Sequence, residues 1–191
     1  PTRVKILGFE VAGVIEETGS GVTAFKKGDP VFASCGFRFG GYAEYTCLKV
    51  SDLIAVKPAN MRFEEAAAVP IGGLTALRFL KHAGIKAGDK VLIYGASGSV
   101  GSFAIQIAKA MGAAVTAVCS TANLDLVKKL GAEQVIDYTK QDYSSVKERF
   151  DIVFDAVGKT SSSAGKKILK PGGCFVTVKK NPKSAKNDLL Y

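Results

Sequence analysis

Hydrophobic and polar positions follow two different patterns along this chain, and the patterns meet near Pro58. Before it, short segments rich in Val, Phe and Tyr stand between glycine turns. Residues 11–17, 30–34, 42–48 and 53–56 read as strands of a small antiparallel β unit. After it, strand and helix patterns take turns. Residues 90–94 form an apolar run of strand length. Val100, Phe103, Ala104, Ile107, Ala108 and Met111 then recur at steps of three and one, which puts them on one helical face. Gly112 stands where a helix C-cap belongs. The alternation continues with a strand at 115–119, a helix at 124–130 stopped by Gly131, a strand at 134–136 and a helix near 145–149. A strand at 152–155 and a helix at 162–169 follow, and Pro171-Gly172-Gly173 leads into a strand at 174–178. Helices of this length between strands imply right-handed crossovers and a parallel sheet covered on both faces. The expected class is therefore α/β, a doubly wound parallel sheet preceded by part of a β domain. Residues 63–83 read as a helical connector broken at Pro70 and at Gly72-Gly73.

Both ends cut across a pattern. The reading yields five parallel strands where a doubly wound nucleotide fold has about six, and the β unit starts in mid-pattern. We expect a fragment: a partial β domain over 1–57, then a sheet domain over 58–191 whose last strand and return segment are missing.

Composition narrows the class. The chain has 191 residues, 47% of them hydrophobic, with four cysteines and one histidine. No run approaches the roughly 18 apolar residues of a membrane helix, and no cleavable leader opens the chain, so a cytoplasmic protein without a membrane span, or the interior of a longer protein, is expected. Cys35, Cys47, Cys119 and Cys174 lie far apart and read as reduced structural thiols. The net charge of +9 raises the question of nucleic acid. The lysines, however, are spread in pairs, and only Lys179 to Lys186 forms a local basic segment, so a solvated surface suited to an anionic cofactor is the expectation.

The most informative stretch is Val91-Leu92-Ile93-Tyr94-Gly95-Ala96-Ser97-Gly98-Ser99-Val100-Gly101, a strand running straight into a glycine turn and an amphipathic helix. Ala96, Gly98 and Gly101 fill the three positions of the dinucleotide fingerprint of a Rossmann-like fold. Gly98 would let the backbone approach a pyrophosphate, and Gly101 would let the helix pack on the strand. The helix start at Ser97, Ser99 and Val100 would present free N–H groups to phosphates. About 20 residues on, an Asp or Glu would grip the ribose hydroxyls of NAD. Here the chain reads Cys119-Ser120-Thr121-Ala122-Asn123, which has no carboxylate. Hydroxyl and amide groups tolerate a 2′-phosphate, so NADP(H) is the expected cofactor, with Ser120 and Asn123 as candidate contacts or, alternatively, as caps of the next helix.

These residues, with Gly8-Phe9-Glu10-Val11-Ala12-Gly13-Val14, Gly28-Asp29, Gly41-Tyr42-Ala43-Glu44-Tyr45, Glu64-Glu65-Ala66-Ala67 and Gly73-Leu74-Thr75-Ala76 ahead of the glycine turn, resemble the medium-chain dehydrogenase/reductase superfamily. Within it the chain is similar to the quinone oxidoreductase branch, including enzymes that reduce enones with NADPH. The resemblance implies that 1–57 is part of a GroES-like β-barrel domain and that the active site lies in a cleft between the two domains. Thr75 would then lie near the nicotinamide, Tyr138 near the adenosine end and 2′-phosphate, and Val157-Gly158 against the nicotinamide ribose. Each also has a structural reading: helix residue, packing, turn. Where zinc-dependent relatives place their ligand His and Cys, this chain has Phe9 and Ile71, so no metal is expected. The lone His82 reads as a helix-end residue.

Without a metal, the chemistry implied is hydride delivery to an electrophile that needs little acid catalysis, a quinone or an α,β-unsaturated carbonyl. A zinc-type alcohol dehydrogenase and a non-catalytic NADP- or RNA-binding relative remain the alternatives. The family's dimers make a homodimer the expected state of the full-length protein.

Overall fold

A computed structural model describes residues 5–178. The chain divides into two compact units, Pro1–Leu74 and Thr75–Tyr191. The division falls inside a helix rather than at the composition change near Pro58. The basic stretch from Lys179 to Lys186 lies outside the described residues.

In the first unit, strands β1 (Glu10–Val14), β2 (Pro30–Ser34) and β3 (Ile54–Val56) form an antiparallel sheet in the order β1-β2-β3. Helix α1 (Phe63–Ala67) follows, and then the start of α2 (Val69–His82). Glu10 on β1 reaches that start: its Oε1 accepts the Ile71 N–H at 2.6 Å. A carboxylate there satisfies an otherwise orphaned amide and complements the positive end of the helix.

The second unit is a five-stranded sheet of β4 (Lys90–Tyr94), β5 (Ala114–Cys119), β6 (Gln134–Asp137), β7 (Phe150–Asp155) and β8 (Leu169–Thr177). All neighbours are parallel, in the order β6-β5-β4-β7-β8. This is the strand order of a Rossmann-like, doubly wound sheet. Helices α2, α3 (Ser99–Ala110) and α4 (Leu124–Lys129) bury Ala76, Leu80, Ala104, Ile105, Ala108 and Val127 with Ile93 and Phe154 on one face. On the other face, Leu92, Val118, Val153 and Phe150 pack with Tyr143, Ile168 and α5 (Ser162–Lys167). Among the described residues no helix is long and apolar enough to cross a membrane.

Five expectations are corrected. Residues 42–48 form no strand. Gly40, Gly41 and Tyr42 N–H bond the carbonyls of Ile6, Gly8 and Leu7, but among the described residues no such bond carries the pairing on through 43–48, and a strand exists only with a partner. Residues 145–149 form no helix. A single 3-10 turn, Tyr143–Ser145, is held by Asp142, whose carboxylate accepts the Ser144 N–H, and Val146 leaves it in extended geometry. Gly72-Gly73 does not break α2. The break falls earlier, at Ala68, and Pro70 then stands in the first turn, where its missing N–H costs nothing. In α3 the fully buried ridge is Gly101, Ala104, Ile105 and Ala108, one residue round from the expected face, with Val100, Phe103 and Ile107 half-buried beside it. Finally, Pro171-Gly172-Gly173 is part of β8, absorbed by a register shift opposite Phe150 and Ile152 rather than forming a separate turn.

Candidate functional site

The carboxyl ends of β4 and β7, neighbours at the centre of the sheet, mark the point from which connections leave in opposite directions. Ligands of doubly wound sheets bind at such a point. Here β4 ends in the glycine turn. Gly95 and Ala96 both donate their N–H to the Val118 carbonyl at 3.1 Å, and Gly98 N–H returns to the Gly95 carbonyl at 3.1 Å. Gly95 takes φ +74, a region that costs any residue with a Cβ. Gly98 is the N-cap of α3, and no side chain caps that helix, so its first amides face outward as an anion site requires.

Two glycines of this turn differ in what they do. Gly101 is buried, and a Cβ there would stand 2.3 Å from the Gly95 carbonyl oxygen and 2.7 Å from Ala96 Cα, so its role is packing. Gly98 is exposed with φ −78, and the nearest atom to a Cβ would be the Gly95 oxygen at an ordinary 3.4 Å. Nothing in the fold demands glycine there. We therefore expect Gly98→Ala to change stability by about 1 kcal/mol or less but to weaken NADPH binding by about tenfold or more, because its methyl occupies the face a pyrophosphate needs. Urea denaturation and a fluorescence titration of the same sample check both halves; a Gly98→Ala variant that binds normally would remove the close-approach role from Gly98.

Val157 and Gly158 follow β7 and meet the glycine turn. The Val157 methyl carbons lie where a Cβ on Gly95 would be, at 2.6 and 2.9 Å. Their loop hangs on Asp155, a fully buried residue that sequence reasoning did not single out. Its Oδ1 accepts the N–H of Val157 at 3.1 Å and of Gly158 at 2.8 Å; its Oδ2 accepts Thr160 N–H at 2.9 Å and the Thr177 hydroxyl at 3.3 Å. The signal was present: an Asp at a strand end, three residues before Gly158, is the chemistry of a side-chain-held turn.

Ser120 and Asn123 lie together past β5, with Asn123 Nδ2 donating to Ser120 Oγ at 3.1 Å. Neither caps the following turn through its side chain. Beside them ends β6, where Asp137 is buried and also unforeseen. It accepts from the hydroxyls of Thr121 and Thr139 and from Thr139 N–H at 3.0 Å, and the hydrogen bonds from Thr121 and then Thr139 hold its carboxyl below the usual range. Tyr138, half-exposed, lines an open cavity of about 470 Å³ with Tyr94, Lys140, Gln141, Asp142 and Tyr143. Its ring centroid lies 6.2 Å from that of Tyr94, and the Tyr143 hydroxyl bonds the Thr160 hydroxyl, tying this cavity to the Asp155 loop. Burial raises the Tyr94 and Tyr143 phenols and the Cys119 thiol above their ordinary values, so none is a ready nucleophile or base near neutral pH.

The structure thus gathers Ala96, Ser97, Gly98, Ser99, Val100 and Gly101 with Val157 and Gly158 at the switch point, and places Ser120, Asn123 and Tyr138 along the β5 and β6 ends of the same edge. Thr75 is buried on α2. In the first unit, Phe9 packs on Phe39 and Phe37 at ring distances of 4.4 and 6.5 Å, and Ile71 bonds Glu10 through its amide. Among the described residues no three His, Cys, Asp or Glu side chains gather as a metal site. The exposed His82 ends α2 beside Lys81, among the helix's last carbonyls.

Known proteins match this arrangement along most of its length. Residues 1–58 match the family model of the alcohol dehydrogenase GroES-like domain, and residues 99–188 that of the zinc-binding dehydrogenase. The 2-methylene-furan-3-one reductase of Solanum lycopersicum is 41% identical over 180 residues, 90% of this chain and 46% of that protein. The chloroplastic NADPH-dependent alkenal/one oxidoreductase of Arabidopsis thaliana is 38% identical with the same coverage. The solved quinone oxidoreductase from Coxiella burnetii superposes with a TM-score of 0.82 at 39% identity, covering 90% of this chain and 55% of that one. The chain spans about half the length of the curated relatives it matches. With its nucleotide-type turn, its strand order and these matches, the chain belongs to the medium-chain dehydrogenase/reductase superfamily, beside its quinone and alkenal oxidoreductases.

Proposed function

We propose that this chain carries the cofactor-binding part of an NADPH-dependent oxidoreductase that delivers hydride to a quinone or an α,β-unsaturated carbonyl without zinc. The observation that carries the reading is the uncapped N-terminus of α3 behind Gly98, set against the Asp155-held loop of Val157 and Gly158 at the sheet's switch point. A pyrophosphate suits those free amides, and the cavity beside Tyr138 suits a base and its ribose. The names of two relatives, an alkenal/one oxidoreductase and a quinone oxidoreductase, support the substrate class.

The bound cofactor supplies the hydride. The protein binds it, orients it and keeps water from it. In this reading the α3 amides hold the pyrophosphate, Val157 and Gly158 fix the nicotinamide ribose, Ser120, Asn123 and Tyr138 receive the adenosine end, and Thr75 contacts the nicotinamide. The zinc-free reading rests on donor chemistry: the positions that would ligate zinc by family resemblance carry Phe9, whose ring sits among Phe37 and Phe39, and Ile71. Neither side chain can bind a metal.

The test is a fluorescence titration with NADPH and NADH on the wild type and on Ser120→Asp. Wild type should prefer NADPH by about tenfold, near 1.4 kcal/mol, and the added carboxylate should erase that preference by repelling a 2′-phosphate. Equal binding of both nucleotides by wild type would defeat the NADP assignment.

A further inference from the structure

A 2′-phosphate is close to a dianion at neutral pH, yet the β5–α4 connection offers it only neutral groups, Ser120, Thr121 and Asn123. Neutral donors make weaker hydrogen bonds to phosphate than a charged donor does. The missing charge stands one strand away. Lys140 lines the same cavity as Tyr138, and its Nζ lies 3.8 Å from Asp137 Oδ2. Asp137 is the bracket between the two loops: it bonds Thr121 on the Ser120 side and Thr139 on the Tyr138 side, and the two threonine hydroxyls lie 3.1 Å apart. The loop bearing Ser120 and Asn123 and the loop bearing Tyr138 and Lys140 are therefore one hydrogen-bonded piece. The carboxylate is already occupied by threonine donors, and the lysine approaches it only loosely, with its side chain largely exposed. An ammonium has three donors, and this tether uses at most one of them.

Building on the NADP(H) reading, we infer that Lys140 is the cation that recognises the 2′-phosphate, held at the adenosine end by Asp137. Lys140 then sets the choice between NADP and NAD, and Ser120 and Asn123 complete the phosphate's neutral contacts. Because the buried Asp137 keeps its threonine donors and the largely exposed lysine meets it only at 3.8 Å, the lysine can be removed without unfolding the chain.

The experiment is a calorimetric titration of the chain with adenosine 2′,5′-bisphosphate and with 5′-AMP, on wild type, Lys140→Gln and Lys140→Arg. Wild type should bind the bisphosphate at least about tenfold tighter than AMP, the size of one charge-assisted contact, and that ratio should shrink as salt is raised. Lys140→Gln should bring the ratio within about threefold while leaving AMP affinity alone, and Lys140→Arg should retain it. A wild-type preference that survives Lys140→Gln overturns the role of Lys140 and leaves the NADP reading standing. AMP binding with no wild-type preference overturns both. Binding of neither ligand by the folded wild type overturns the nucleotide reading itself, and the role of Lys140 with it.

Discussion

Replacing Gly101 by alanine should cost about 3 kcal/mol or more of stability, lowering the melting temperature by about 6–12 °C for a chain of this size. The added methyl meets backbone on every side: the Gly95 carbonyl oxygen at 2.3 Å, Ala96 Cα at 2.7 Å and the Ala96 carbonyl carbon at 2.9 Å. A flexible side chain could turn aside. Backbone can yield only by pushing α3 off β4, which opens the packing of Ala104, Ile105 and Ala108 against the sheet. Thermal and urea melts of Gly101→Ala beside Gly98→Ala make the comparison, since the two methyl groups are added three residues apart in the same turn. Similar stabilities for the two variants would mean that α3 slides to accommodate the methyl, and the contrast between a packing glycine and a ligand-facing one would fall.

Removing the carboxylate of Asp155 should destabilise the protein by about 3 kcal/mol or more. Asp155→Ala strips partners from three backbone amides, those of Val157, Gly158 and Thr160, at a position buried from water. A fully buried orphaned amide costs about 1–3 kcal/mol, and these three are partly buried, so about 1 kcal/mol each gives the expected total. Asp155→Asn should be milder, because one oxygen remains to accept from Val157 and Gly158, while its new amide N–H faces the Thr160 N–H where an acceptor stood. The order wild type, Asn, Ala in urea midpoint is the expected result, and NADPH affinity should follow the same order as the loop of Val157 and Gly158 loosens. An Ala variant as stable as wild type would show that the loop finds other acceptors.

Much of the second unit was legible from sequence because its central strands β4, β5 and β7 are buried on both faces. Runs such as Val91-Leu92-Ile93 and Ile152-Val153-Phe154 announce themselves without reference to partners, and each helix between them ends at a glycine or a charged turn. The first unit was less so. Residues 42–48 have the composition of a strand, but whether a strand forms depends on a neighbour's ladder, which local pattern does not carry. Gly72-Gly73 misled for a similar reason: the start of α2 is held by the Glu10 carboxylate, 61 residues earlier in the chain, and that support outweighs two weak helix formers. At the site, the glycine turn was readable because its residue types are dictated by local backbone geometry. Asp155 and Asp137 were not, since what makes them matter is the set of donors that tertiary structure brings to them: Thr177 from β8 in one case, Thr121 from the neighbouring loop in the other.

The contact of Gly95 with Val157 joins one residue from each half of the sheet and makes the two positions drift unequally over evolutionary time. Their volumes are shared, since the valine methyl carbons fill the space a Cβ at 95 would claim. Residue 157 can shrink to alanine at the expense of a small void. Residue 95 cannot grow even then, because its φ of +74 penalises any L side chain by about 1 kcal/mol regardless of room. Variation at this meeting point is therefore one-sided: substitutions should accumulate at 157 while 95 stays glycine, and a size change at 157 leaves its mark on the loop after β7 rather than on the glycine turn.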